Sequence, residues 1–110
     1  MFDHEVSKDG ITVTVTDIRP LENDYYTSFL DVYYPDGYRH SGYLDFFFDE
    51  EENDLGVSWG LYVDGIYDED DNQYDSLPEH LQNINIEPFV NKLIDDILPE
   101  VKDDYALCTS

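Results

Sequence analysis

Between Ile11 and Tyr67 the chain alternates apolar and polar side chains with a period of two, the signature of strands that bury one face. Ile11 to Ile18 is the cleanest case, with Ile11, Val13 and Val15 on one side and threonines on the other. Tyr25 to Tyr34 sets Tyr26, Leu30, Val32 and Tyr34 on one face and Phe29 and Asp31 on the other. It stops at Tyr34-Pro35-Asp36-Gly37-Tyr38, a hairpin turn in which Pro presets φ and Gly supplies a positive φ. Tyr38 to Phe48 returns as its partner. There Leu44, Phe46 and Phe48 oppose Tyr43, Asp45 and Phe47, so this strand is expected to be central in the sheet or covered on both sides. Leu55 to Tyr67 is a fourth strand, with Val57, Trp59, Leu61 and Val63 alternating with small or polar neighbours and Asp64-Gly65 marking a bend or an end.

The period changes after residue 75. Ser76-Leu77-Pro78-Glu79 has the spacing of a capping box with Pro in the first turn, which predicts a short helix to about Asn83. Pro88 opens a second helix in which Phe89, Val90, Leu93, Ile94, Ile97, Leu98 and Val101 form one apolar stripe. Pro99 lies inside that stripe and is expected to end or kink it. The expected architecture is a single α+β domain over residues 1–110: a four-stranded antiparallel sheet followed by two helices packed on one face.

Charge changes this otherwise ordinary picture. The chain carries 27 Asp and Glu against five Lys and Arg, a formal net of −22, while 41% of its residues are hydrophobic and ten are Tyr. Disordered acidic tails are poor in aromatics, so this is a folded protein that tolerates strong self-repulsion. Five basic residues cannot neutralise phosphates against 27 acids, which excludes direct nucleic-acid binding and points to a basic partner. The acids gather in two segments read as exposed loops, Asp49 to Asp54 and Asp68 to Asp75, and on the last helix at Asp95, Asp96, Glu100, Asp103 and Asp104. A continuous carboxylate band would form if both loops lay beside that helix.

Catalytic and metal motifs are weak by comparison. His4, His40 and His80 have no zinc spacing, and no nucleophile elbow or phosphate loop occurs. With so many carboxylates, acid pairs at glycosidase separation arise by chance. Asp68, Asp70, Asn72 and Glu79 fall at positions one, three, five and twelve of a calcium loop, but position six is Gln73 where Gly is required. A solvated loop is the better reading. The expectation is therefore no enzyme activity, no cofactor and no metal. Met1 to Gly10 holds no apolar run like that of a signal peptide, no segment is long and apolar enough to span a membrane, and Cys108 has no second cysteine to pair with. These features place the chain in the cytoplasm, and the mutual repulsion of its acids favours a monomer, with a dimer as the alternative.

A duplex carries about one charge per 1.7 Å, so 22 charges correspond to roughly 37 Å of DNA. A compact domain of this length spans roughly 34 Å. In size, charge and the runs Asp49-Glu50-Glu51-Glu52-Asn53-Asp54 and Asp68-Glu69-Asp70-Asp71, the chain resembles the acidic DNA-mimic proteins. That class includes uracil-DNA glycosylase inhibitors, phage anti-restriction and anti-CRISPR proteins, and the Neisserial mimic that binds the histone-like protein HU. The resemblance implies a stoichiometric inhibitor that occupies the DNA-binding surface of a nucleoid protein, repair enzyme or defence nuclease. Its phosphate-mimicking residues would be Asp49, Glu50, Glu51, Glu52, Asp54, Asp68, Glu69, Asp70, Asp71, Asp75, Asp95 and Asp96, with tyrosines among Tyr62, Tyr67 and Tyr74 as apolar anchors. The alternative is an immunity protein that neutralises a nuclease toxin through one aromatic hot spot. Halophilic adaptation of an ordinary domain is a third, which folding in low-salt buffer would remove.

Overall fold

The computed structural model describes residues 3–22, 25–49, 51 and 54–109, with backbone alone for residues 106–109. Six strands form one antiparallel meander in sequence order: β1 (His4–Lys8), β2 (Ile11–Glu22), β3 (Tyr25–Tyr33), β4 (Arg39–Asp49), β5 (Asp54–Tyr67) and β6 (Gln73–Tyr74). A single helical turn, α1 (Glu79–Gln82), leads to the long helix α2 (Glu87–Thr109). The expectation of four strands and two helices is therefore corrected on three points: two further strands, one substantial helix, and a Pro that does not stop it.

Each correction has a local cause. β1 carries one apolar residue, Val6, so it shows no apolar periodicity; it is held because Asp9 and Gly10 take positive φ (56° and 81°) and fold it back onto β2. Asp-Gly is a strong hairpin signal, and it was present to be read. β6 is two residues of an acidic segment, visible only through its pairing with Ile66 and Tyr67. The capping box does not form: Pro78 occupies the N-cap of α1, and no side chain caps that turn. In α2, Asn85 Oδ1 accepts the Glu87 N–H at 3.1 Å, and the helix continues through Pro99. Pro in a helix interior costs about 3 kcal/mol. Beyond it, Val101 is fully buried, Tyr105 stacks on Phe48 with centroids 5.1 Å apart, and Tyr26 Oη donates to Asp104 at 2.6 Å. Tertiary contact outweighs the local break.

Alternation decides which side each residue takes. On the face covered by α2 lie Val13, Val15, Leu30, Val32, Leu44 and Phe46, all fully buried, and against them pack Val90, Leu93, Ile97 and Val101. Ser28, the one buried polar residue among those described, donates to the Leu44 carbonyl, so its burial leaves no unpaired hydroxyl. The turn at residues 34–38 forms as its sequence predicts, with Gly37 at φ 87° and Gly37 N–H donating to the Tyr34 carbonyl at 3.2 Å. The body is elongated, 48 × 25 × 24 Å, because β5 is long and the sheet narrow. No described helix is long and apolar enough to cross a membrane.

Candidate partner-binding surface

A meander sends successive turns to alternate ends of the sheet. Asp49, Glu51 and Asp54 therefore lie at one end, and the turn after β5, beginning at Asp68, caps the other, with the length of β5 between them. The two acidic loops do not lie together beside the helix. The first does: Lys102 of α2 pairs with Asp54 at 2.9 Å and draws its carboxyl below the usual range. Asp49 and Glu51 are at the same pole, whereas Glu50 and Glu52 lie outside the described residues.

At the opposite pole Glu69 and Asp70 are exposed beside the Tyr34 to Tyr38 turn, and Arg39 approaches Asp71 at 3.7 Å. Asp75 is exposed just beyond β6. Asp95 and Asp96 sit on the outer side of α2, where Asp96 is paired with Lys92 at 3.1 Å. The ten of these twelve residues that are described thus form two poles and a helix flank.

Asp68 has a different role from its neighbours. Its carboxylate accepts the backbone N–H groups of Asp70 (2.9 Å) and Asn72 (3.0 Å), the Asn72 side-chain amide (3.2 Å) and the Tyr74 hydroxyl (2.7 Å). It holds the β5–β6 turn together, which lets Asp71 adopt φ 63°. These donors push the Asp68 carboxyl below its ordinary value of 3.8, the Tyr74 hydroxyl contributing most, and the same contact pushes Tyr74 up to about 12. The spacing that resembled a calcium loop is a self-capped turn. Among the described residues no group of His, Cys, Asp and Glu is arranged to hold a metal ion.

The signs define a pH window. A carboxyl whose folded value is lowered stabilises above its unfolded value and loses that contribution as pH falls through the folded one. A phenol raised to about 12 stabilises fully below 10 and loses it as pH rises through about 12. The contact is therefore constant through neutral pH. Tyr74→Phe is expected to raise the Asp68 pKa towards the ordinary carboxylate range, read from its side-chain carboxyl carbon shift during an NMR pH titration. An unmoved titration would mean that the hydroxyl does not set it.

The sheet face turned away from α2 was not singled out by sequence. Rows across it read Thr16, Phe29, Tyr43 and Gly60, then Thr14, Asp31 and Ser41, then Thr12, Tyr33, Arg39 and Tyr67. Phe29, Tyr33 and Tyr62 are all more than 40% exposed, and Tyr43 and Tyr62 are in contact with centroids 5.8 Å apart. Two acids stand among these rings. Asp45 accepts from Tyr25 Oη (2.7 Å) and Thr27 Oγ1 (2.8 Å), which raises the Tyr25 pKa, and Asp31 accepts from Ser41 at 2.7 Å. An acid with an aromatic two residues away on each side, as in Phe29, Asp31, Tyr33 and in Tyr43, Asp45, Phe47, was the available signal, obscured by the louder acidic runs. Compared with known proteins, the chain matches no family model, no curated protein and no solved structure, so charge and geometry carry the functional reading.

Proposed function

We propose that this protein is a DNA mimic that binds the DNA-binding surface of a basic nucleic-acid-binding protein, a nucleoid protein, repair enzyme or defence nuclease, and competes there with DNA. The observation that carries the reading is charge per length. A duplex as long as the 48 Å body holds about 28 phosphates, against a formal net of −22 here. Four of the five basic residues, Arg19, Arg39, Lys92 and Lys102, already lie against carboxylates, so the surplus faces outward. Carboxylates at both poles supply steering, and the exposed rings of the open face supply the apolar contact that charge does not. The role is stoichiometric, without turnover or cofactor, in the cytoplasm where such targets work.

Partners captured from lysate are expected to be basic DNA-binding proteins that duplex DNA displaces, with affinity falling steeply as salt rises. Reversing Glu69, Asp70 and Asp71 to Lys, with Asp68 spared as the turn cap, is expected to weaken capture on the order of tenfold at low salt. Partners that DNA leaves in place would sink the reading. The Phe29, Tyr43 and Tyr62 group favours the alternative of an immunity protein, for which one toxin stays bound even at high salt.

A further inference from the structure

β5 runs from Asp54 to Tyr67, yet β6 pairs only with Ile66 and Tyr67. Among the described residues no strand covers the outer edge of Leu55 to Leu61, although β4 pairs its inner edge along that whole length. Unpaired strand edges are templates for another strand, and proteins usually blunt them with charge, proline or brevity. Charge is used only at the start, where the Asp54 carboxylate accepts the Leu55 N–H at 2.8 Å, and from Gly56 to Leu61 none of these is used. Leu55 to Val63 is the longest run in the chain without an acid or a base.

Beyond Leu61 the strand leaves the β4 ladder until Ile66. The ladder shifts register between His40 and Gly42, His40 Nε2 bonds the Tyr62 carbonyl at 2.8 Å, and the Gln73 side chain donates to the Asp64 carbonyl at 2.6 Å. The bulge turns Tyr62 and Val63 outward, Val63 to 87% exposure, as a ledge at the end of the open stretch. Val57, Trp59 and Leu61 are only half-buried at the rim of the core. The open segment is thus a defined length of backbone with acids at both ends, Asp49, Glu51 and Asp54 at one and Asp64 and Asp68 at the other.

We infer that the Leu55 to Leu61 edge receives an extended segment of the partner, which adds a strand to the sheet and places basic residues at its two ends against the acidic poles. This rests on the reading of a basic partner and specifies how it docks. Charge decides against a second copy as occupant. Antiparallel self-pairing over this stretch would bring Asp54 of one copy within two residues of the other's Asp64, between molecules that each carry −22.

The test uses the intact protein and a synthetic peptide of alternating Val and Thr with paired Lys at each end. Amide resonances of Leu55 to Leu61 are expected to shift and to gain protection from hydrogen exchange, and N-methylation of alternate peptide residues to weaken binding on the order of tenfold. Shifts confined to the acidic poles, or equal affinity for the methylated peptide, would overturn the inference and leave DNA competition unaffected. So would absence of binding, or a free protein already dimeric with this edge protected. Protection of the edge by a captured partner that duplex DNA cannot displace would uphold the docking mode and end the mimic reading.

Discussion

Phe46→Ala is expected to cost about 3–5 kcal/mol and to lower Tm by about 20 °C. The ring is fully buried on the helix-covered face of β4 and pairs across to Tyr26 and Val57. Domains of this kind hold about 5–15 kcal/mol in total, and a net of −22 works against compaction, so the variant stands close to unfolding. Phe47→Ala is the control. Phe47 is half-buried on the open face, where its ring covers the space above Gly56, and its loss is expected to cost about 1 kcal/mol. Equal losses in denaturant titrations would show that the assignment of faces is wrong.

Salt is expected to stabilise the free protein strongly. At about 0.01 M ionic strength the Debye length is about 30 Å, greater than the two shorter dimensions of the body, so the acids at each pole and along the helix flank repel one another across the width of the molecule. At about 1 M it is about 3 Å, and only adjacent carboxylates still interact. Raising sodium chloride over this range should raise Tm by on the order of 10 °C, read by circular dichroism, with partner binding weakened over the same range. A flat Tm would mean that the surplus charge is already neutralised in the fold. The paired basic residues argue otherwise, since exposed ion pairs contribute only about 0–1 kcal/mol each.

Both expectations draw on features that were legible to different degrees. The burial of Val13, Val15, Leu30, Leu44 and Phe46 follows from period-two alternation, and that of Val90, Leu93, Ile97 and Val101 from helical spacing. Those periods are properties of the backbone and survive translation into structure. Weak local signals did not. β1 and β6 exist because neighbouring strands offer hydrogen bonds to segments with little periodicity of their own, and α2 passes Pro99 because Val101, Lys102, Asp104 and Tyr105 are held from outside the helix.

By itself the sequence determined the composition of the surface: its net charge, the two acidic runs and the uncharged stretch Leu55 to Val63. Where they lie relative to one another is set by strand order and pairing. Connectivity puts the described residues of the two acidic runs at opposite ends of β5, makes Asp68 the cap of its own turn, and leaves one strand edge unpaired between them. Chain distance carries no such information, because a strand separates in space what it joins in sequence, and pairing partners are chosen by the whole sheet.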